Sequence, residues 1–173
     1  MATLIKERRI APDSWRLLAP GADRALPEVP AAGDLIVPLA VWQARRDALL
    51  ARPGRLGLWL DSNEGPEAIA GDLGHFALVA VNFPKFGDGR GYSTARLLRE
   101  RYRFKGELRA VGEVLRDHLL FLEMCGFDAY ALRDDQDAED ALRAFADFSE
   151  AYQASVTQPV PLFRRRSVAG TTS

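Results

Sequence analysis

The chain has 173 residues, 47% hydrophobic and 27% charged, a composition that fits one ordinary folded domain and excludes a disordered or fibrous chain. Its 23 basic and 24 acidic residues leave a formal net charge of −1, so no global field favours nucleic acid or an anionic membrane. The single cysteine, Cys125, excludes an intrachain disulfide and a four-cysteine metal or cluster site, and no run approaches the roughly 20 apolar residues of a membrane span.

With one cysteine the expected compartment is a reducing cytoplasm, and the first residues, with Lys6, Arg8 and Arg9 and no apolar core behind them, lack the build of a secretory signal. Thr3–Ile5 and Ser14–Leu18 read as a short extended pair separated by a polar stretch, and the proline-containing run from Pro20 to Gly33 as a connecting loop. From Asp34 a strand-like run alternates with a helix-like run about five times, the mark of a mainly parallel sheet with crossover helices. The first unit is Leu35–Val37 with a helix from Pro38 to Ala51. The second is Leu56–Leu60, a polar turn from Asp61 to Pro66 and a short helix to Asp72. The third is the apolar run Phe76–Val81, the stretch Asn82–Tyr92 and a helix from Ser93 to Arg103. The fourth is Glu107–Val111, Gly112-Glu113 and a helix to Cys125, stopped by Gly126 with Phe127 folding back on it. The fifth is Ala129–Leu132, Arg133-Asp134-Asp135 and a helix from Asp137 to Tyr152. The reading is therefore an N-terminal extended segment and linker over 1–33, an α/β domain over 34–158 and a tail over 159–173. The sheet is a partial (βα) barrel-like arc or an open doubly wound sheet. The arc is preferred because each strand ends on a polar residue, as barrel functional faces do.

Such a topology gathers Asp61, Ser62, Asn63, Asn82, Lys85, Asp88, Arg90, Glu113 and Asp134 at the carboxyl edge of the strands. The stretch Asn82–Tyr92 is the most conspicuous of these. Gly87, Gly89 and Gly91 would let the backbone turn with positive φ and present amides, and the following helix start, with Tyr92 and Ser93, would add unpaired N–H groups. Arg90 and Lys85 could then hold a small anion by charge-assisted bonds. The same residues also suit a tight loop in which Asp88 caps turns and Arg90 pairs with a local carboxylate. No catalytic set is singled out; the acid–base candidates are Asp61, Asp88, Glu113 and Asp134, each of which could equally cap a helix. Arg96, Arg99 and Arg103 read as a solvated helix face or as a surface for an acidic partner or oligomer contact. His75, His118 and Cys125 read as packing residues, and no metal set is indicated.

Asn82-Phe-Pro-Lys-Phe-Gly-Asp-Gly-Arg-Gly-Tyr-Ser93, Ala95–Tyr102, Gly106–Asp117 and Cys125-Gly-Phe-Asp128 together resemble the bacterial family called domain of unknown function 934. The resemblance covers most of the chain, and Leu35-Ile-Val-Pro38 shares it. It implies an oxidoreductase or accessory protein of assimilatory sulfite reduction, because members accompany the sulfite reductase hemoprotein, which becomes the expected partner. It assigns no catalytic residues, and the cofactor is left unknown. A self-sufficient oxidoreductase is disfavoured, since no flavin or nicotinamide motif stands out and one cysteine holds no cluster. Two alternatives remain: a small-molecule enzyme using rim carboxylates on an anionic substrate, and a non-catalytic interaction protein. A homodimer through helix faces fits each.

Overall fold

The computed structural model describes residues 3–18, 26–85 and 87–145. An eight-stranded, mostly parallel sheet curls into a half-barrel, with strand order β2-β1-β8-β7-β6-β5-β4-β3. The strands are β1 (Leu4–Lys6), β2 (Arg9–Ala11), β3 (Arg16–Leu17), β4 (Leu35–Pro38), β5 (Leu56–Leu60), β6 (Leu78–Phe83), β7 (Glu107–Gly112) and β8 (Ala129–Ala131). From β3 to β8 each strand lies parallel beside the next in sequence. Crossovers of one hand between consecutive neighbours put the connecting segments on one face. That is why the sheet bends as barrels do and leaves its other face concave.

Alternation along the strands follows from this arrangement. Leu58, Leu60, Val79, Val81, Leu108 and Ala110 enter the main core under the helices. On the opposite face Ile36, Leu78 and Ala80 form a smaller cluster with Trp15, Trp59 and Val111. The helices are α1 (Leu39–Ala51), α2 (Arg90–Arg96), α3 (Leu119–Cys125) and α4 (Ala138–Arg143), the last capped by Asp137 accepting from the Asp140 amide at 2.7 Å. Gly126 ends α3 at φ 109°, with its amide on Glu123 O and that of Phe127 on Leu122 O. Both bonds of a Schellman cap are therefore present.

The structure departs from the sequence reading in several places, among them the helix of the fourth unit, which starts only at Leu119 after a 3₁₀ turn over Arg116–His118. Leu4–Lys6 pairs with Arg9–Ala11 inside the stretch read as a polar spacer, across a two-residue turn in which Glu7 and Arg8 have φ 50° and 59°. Positive φ at both turn residues matches the twist of a tight hairpin, and an edge strand needs no apolar pattern. The crossover after β5 holds two 3₁₀ turns, Pro66–Ile69 and Leu73–His75, in place of an α-helix. β6 runs two residues later than read, because the Phe76 amide closes the second 3₁₀ turn on Leu73 O while Asn82 and Phe83 extend the ladder opposite Val111 and Gly112. The third helix starts at Arg90 and passes into a π-helical turn over Leu97–Arg101. The end read for the last helix, and the 159–173 tail, lie outside the described residues.

The curl is enforced by a short connection. β2 and β3 are the opposite edges of the sheet, yet only Pro12–Trp15 joins them. Seven interstrand spacings in a flat sheet would separate those edges by about 34 Å, whereas so short a connection spans at most about 18 Å. The two edges must approach each other, and the strap passes over the concave face.

Candidate functional site

Between the strap and the concave face lies a cavity of about 380 Å³, lined from the strap by Asp13 and Trp15 and from the sheet by Leu17 of β3 and by residues of β4 to β8. Arg109 on β7 is 3% exposed and lines this cavity. Its neighbours Leu108 and Ala110 belong to the core under the helices, so the pleat sends Arg109 to the concave side. A buried guanidinium must be paired, and this one has two carboxylates. Nη1 donates to Asp13 Oδ2 at 2.8 Å and Nε to Glu107 Oε1 at 2.8 Å. Glu107, 8% exposed, also takes Lys6 Nζ at 2.8 Å on its other oxygen. Two cations and two carboxylates thus form a closed, electroneutral chain across β1, β7 and the strap. The Asp13 carboxylate also accepts the Trp15 amide at 3.1 Å, and the Trp15 ring lies under the Arg55 guanidinium at 4.9 Å.

Trp15, Trp59, Ile36 and Val111 supply apolar and aromatic wall to the cavity, which reaches the rim at Gly112, Arg133 and Asp134. Apolar walls with a few placed polar groups, at a volume of this order, are the usual build of a small-molecule site. Gly112 is required where it stands. Its φ is +91°, and a Cβ there would meet Asn82 Oδ1 and Phe83 O at 2.6 Å, so any other residue would be strained.

Of the residues singled out from the sequence, Asp134 lines the cavity. The others form two groups on the same rim. In the first, Asn82 Nδ2 donates to Asp61 Oδ1 at 2.9 Å, and that oxygen also accepts the Ser62 amide at 2.8 Å. Arg90 Nη2 reaches Ser62 Oγ at 2.9 Å, while its Nε and Nη2 hold Asp88 at 2.9 and 2.6 Å. Arg90 holds the Asp88 carboxyl well below the usual carboxylate range, and the local carboxylate reading of this loop describes the geometry. In the second group, Arg133 bridges Glu113 Oε2 and both oxygens of Asp135 at 2.6 Å. These bonds raise the guanidinium further above its ordinary value.

The glycines of the 82–92 stretch behave differently from the expectation. Gly89 has φ −81°, and Gly91 sits in the first turn of α2, where a Cβ would strike the Phe83 ring at 2.6 Å. The positive φ foreseen is absent at both, because Arg90 begins the helix and the chain needs no left-handed step. Gly87 has open space around it, Lys85 is exposed, and Tyr92 stacks edge-on against Phe121 at 4.7 Å. Ser93, exposed, lies in the same helix.

Arg99 is a bracket within the fold. It donates to the carbonyls of Gly126, Phe104 and Gly106 and to Asp128 Oδ2 at 2.8–2.9 Å, and this removes it from the basic face read with Arg96 and Arg103. Cys125 is buried, and burial pushes its thiol up, against use as a nucleophile. Among the described residues no group of three or more His, Cys, Asp or Glu side chains is disposed to hold a metal ion, and no helix is long and apolar enough to cross a membrane.

The sequence reading missed Trp15, Trp59 and Arg109. A signal was present for the last, since an arginine inside Leu108-Arg109-Ala110-Val111 is a charge in the middle of a buried strand.

The architecture defines a class: an α/β half-barrel carrying a strap-covered cavity on its concave face. Residues 57–163 match the model of the bacterial protein family of unknown function DUF934, and the chain belongs to that family. No curated protein matches it.

Proposed function

We propose that this chain is a cytoplasmic accessory protein of assimilatory sulfite reduction that acts with the sulfite reductase hemoprotein, and that its concave cavity holds a small molecule. The family resemblance supports the first part. The second part rests on one observation, the cavity of about 380 Å³ with Trp15 and Trp59 in its lining and Arg109 tied into it. Such a site could serve a partner enzyme by holding or handing over a ligand without catalysing its conversion. In this reading the 82–92 stretch, whose arginine is already paired with Asp88, contributes a surface for the partner or a weak anion contact.

The test is capture of the purified hemoprotein by this protein, followed by sulfite reduction with and without it. Binding with a rate increase, lost in Trp59→Ala with the partner still captured, supports both parts. No capture and no change in rate overturns the accessory role. A second reading, a small-molecule enzyme, is favoured by Asp134 lining the same cavity. It predicts turnover by the protein alone and loss of that turnover in Asp134→Asn.

A further inference from the structure

The distribution of charge in the concave cavity narrows the ligand it would take. This inference rests on the reading of the cavity as a ligand site, and is independent of any role in sulfite reduction. Arg109 has two unequal partners. Glu107 is 8% exposed, lies on the same strand and is held from the other side by Lys6. Asp13 is 34% exposed and belongs to the strap. The exposed partner is the exchangeable one, because water can take up its charge when the contact opens, whereas Glu107 would be stranded in the interior.

We propose that the cavity binds a small organic monoanion with an apolar body, its anionic head taking the place of Asp13 on Arg109. Exchange of one carboxylate for another keeps the network neutral, so the head group replaces the contact it breaks. A neutral ligand would have nothing to offer in return for that contact, and a cation in place of Asp13 would meet the Arg109 guanidinium directly; at the rim Arg133 is already held by Glu113 and Asp135 beside Asp134, so the rim does not set the sign of the ligand. The body of the ligand lies between Trp15, Trp59, Ile36 and Val111, where apolar and aromatic surface is removed from water. Displacement of Asp13 also releases the strap from β7, so occupancy of the cavity and freedom of Pro12–Trp15 rise together.

The experiment measures binding by calorimetry with benzoate, with its neutral analogue benzamide, and with inorganic sulfite as an anion lacking an apolar body. Wild type is expected to bind benzoate in preference to both. Asp13→Asn keeps an oxygen for the Trp15 amide but no longer competes as a charge, and is expected to bind benzoate about tenfold more tightly. Trp59→Ala in the Asp13→Asn background is expected to lose that binding, with circular dichroism confirming that each variant is folded. Exchange of the Trp15 amide, which Asp13 accepts in the free protein, should quicken when benzoate binds wild type, and unchanged exchange overturns the release of the strap. Equal or weaker benzoate binding by Asp13→Asn overturns the exchange at Arg109 while leaving a ligand site in place. Benzamide binding as well as benzoate overturns the requirement for an anion, and sulfite binding as well overturns the requirement for a body. No benzoate binding by either protein, or binding unaffected by Trp59→Ala, overturns the cavity as the site.

Discussion

Arg90 and Arg109 are held by aspartates at nearly the same distances, 2.6 and 2.8 Å, and their consequences for the molecule differ because of where they lie. Arg90 is 59% exposed in a glycine-rich stretch, and its partner is two residues away. Arg109 is 3% exposed in the middle of a strand, and one of its partners is 96 residues away on the strap. Water solvates the Arg90 guanidinium and screens the contact, although the Asp88 side chain is only 10% exposed, so the contact adds little. The second pair lies where an unpaired charge is costly, and it fastens one end of the chain to the centre of the sheet. The arginine that stands out in the sequence is the peripheral one, and the arginine that organises the cavity is hidden among apolar neighbours.

The largest effect expected from this contrast is that of Arg109→Ala. It leaves Glu107 buried with Lys6 alone and frees Asp13, with it the strap. The loss should be roughly 3–5 kcal/mol, the range for removing one partner of a buried charge pair, read from the denaturant midpoint at unchanged slope. A loss no greater than that of an ordinary surface substitution would mean that burial does not separate the two arginines.

The glycines repeat the contrast on a smaller scale. Gly112→Ala meets both a φ of +91° and backbone at 2.6 Å, and should cost more than about 1 kcal/mol. Gly89→Ala meets open space at φ −81° and should leave stability unchanged or slightly raised. A thermal unfolding series over the two variants checks the order, and the reverse order would place the rigid turn at the 82–92 stretch after all.

A third effect is smaller and depends on pH. Burial lowers the imidazole of His118 below its ordinary value of 6.5, with Asp117 opposing. The fold therefore binds this proton less readily than the unfolded chain does. The contribution is fully present above 6.5 and is lost as pH falls through the depressed value. Stability measured down from neutral pH should decline on this account, and His118→Gln should flatten the slope. An unchanged slope in the variant would assign the titration to another group.

These cases show what the sequence reveals and what it conceals. The alternation of apolar runs with helix-like runs was legible because each parallel strand is buried on its helix-covered face and is bounded by turn residues, as at Leu56–Leu60, where reading and structure coincide. The Gly126 stop was legible because its cap is local. The strap was not, since Pro12–Trp15 acquires meaning only when β2 and β3 prove to be opposite edges. Trp59 reads as one more apolar residue in its strand until the pleat and the curl turn it toward the cavity. Topology puts the rim carboxylates at the strand ends, but their pairing with Arg90 and Arg133 depends on loop geometry that spacing does not fix.

The smallest effect is expected at Arg90, and it tests the other side of the comparison. Arg90→Ala removes both side-chain contacts to Asp88 and the one to Ser62, while the Arg90 amide can still donate to Asp88 Oδ1, as it does now at 3.2 Å. The unfolding midpoint at neutral pH should fall only slightly below that of wild type, because the pair is screened by water. The Asp88 carboxyl, held low by the guanidinium, should move back toward its ordinary value, which titration of its carboxyl carbon resonance would detect. Stability from a carboxyl with a depressed value is present above its unfolded value and fades as the solution is acidified, so any difference between the two proteins should vanish in acid. If the variant unfolds much more easily, the stretch is part of the framework. If small anions protect wild type and fail to protect the variant, Arg90 exchanges Asp88 for an outside anion even at the surface, and the two arginines differ in degree of burial but share a mode of action.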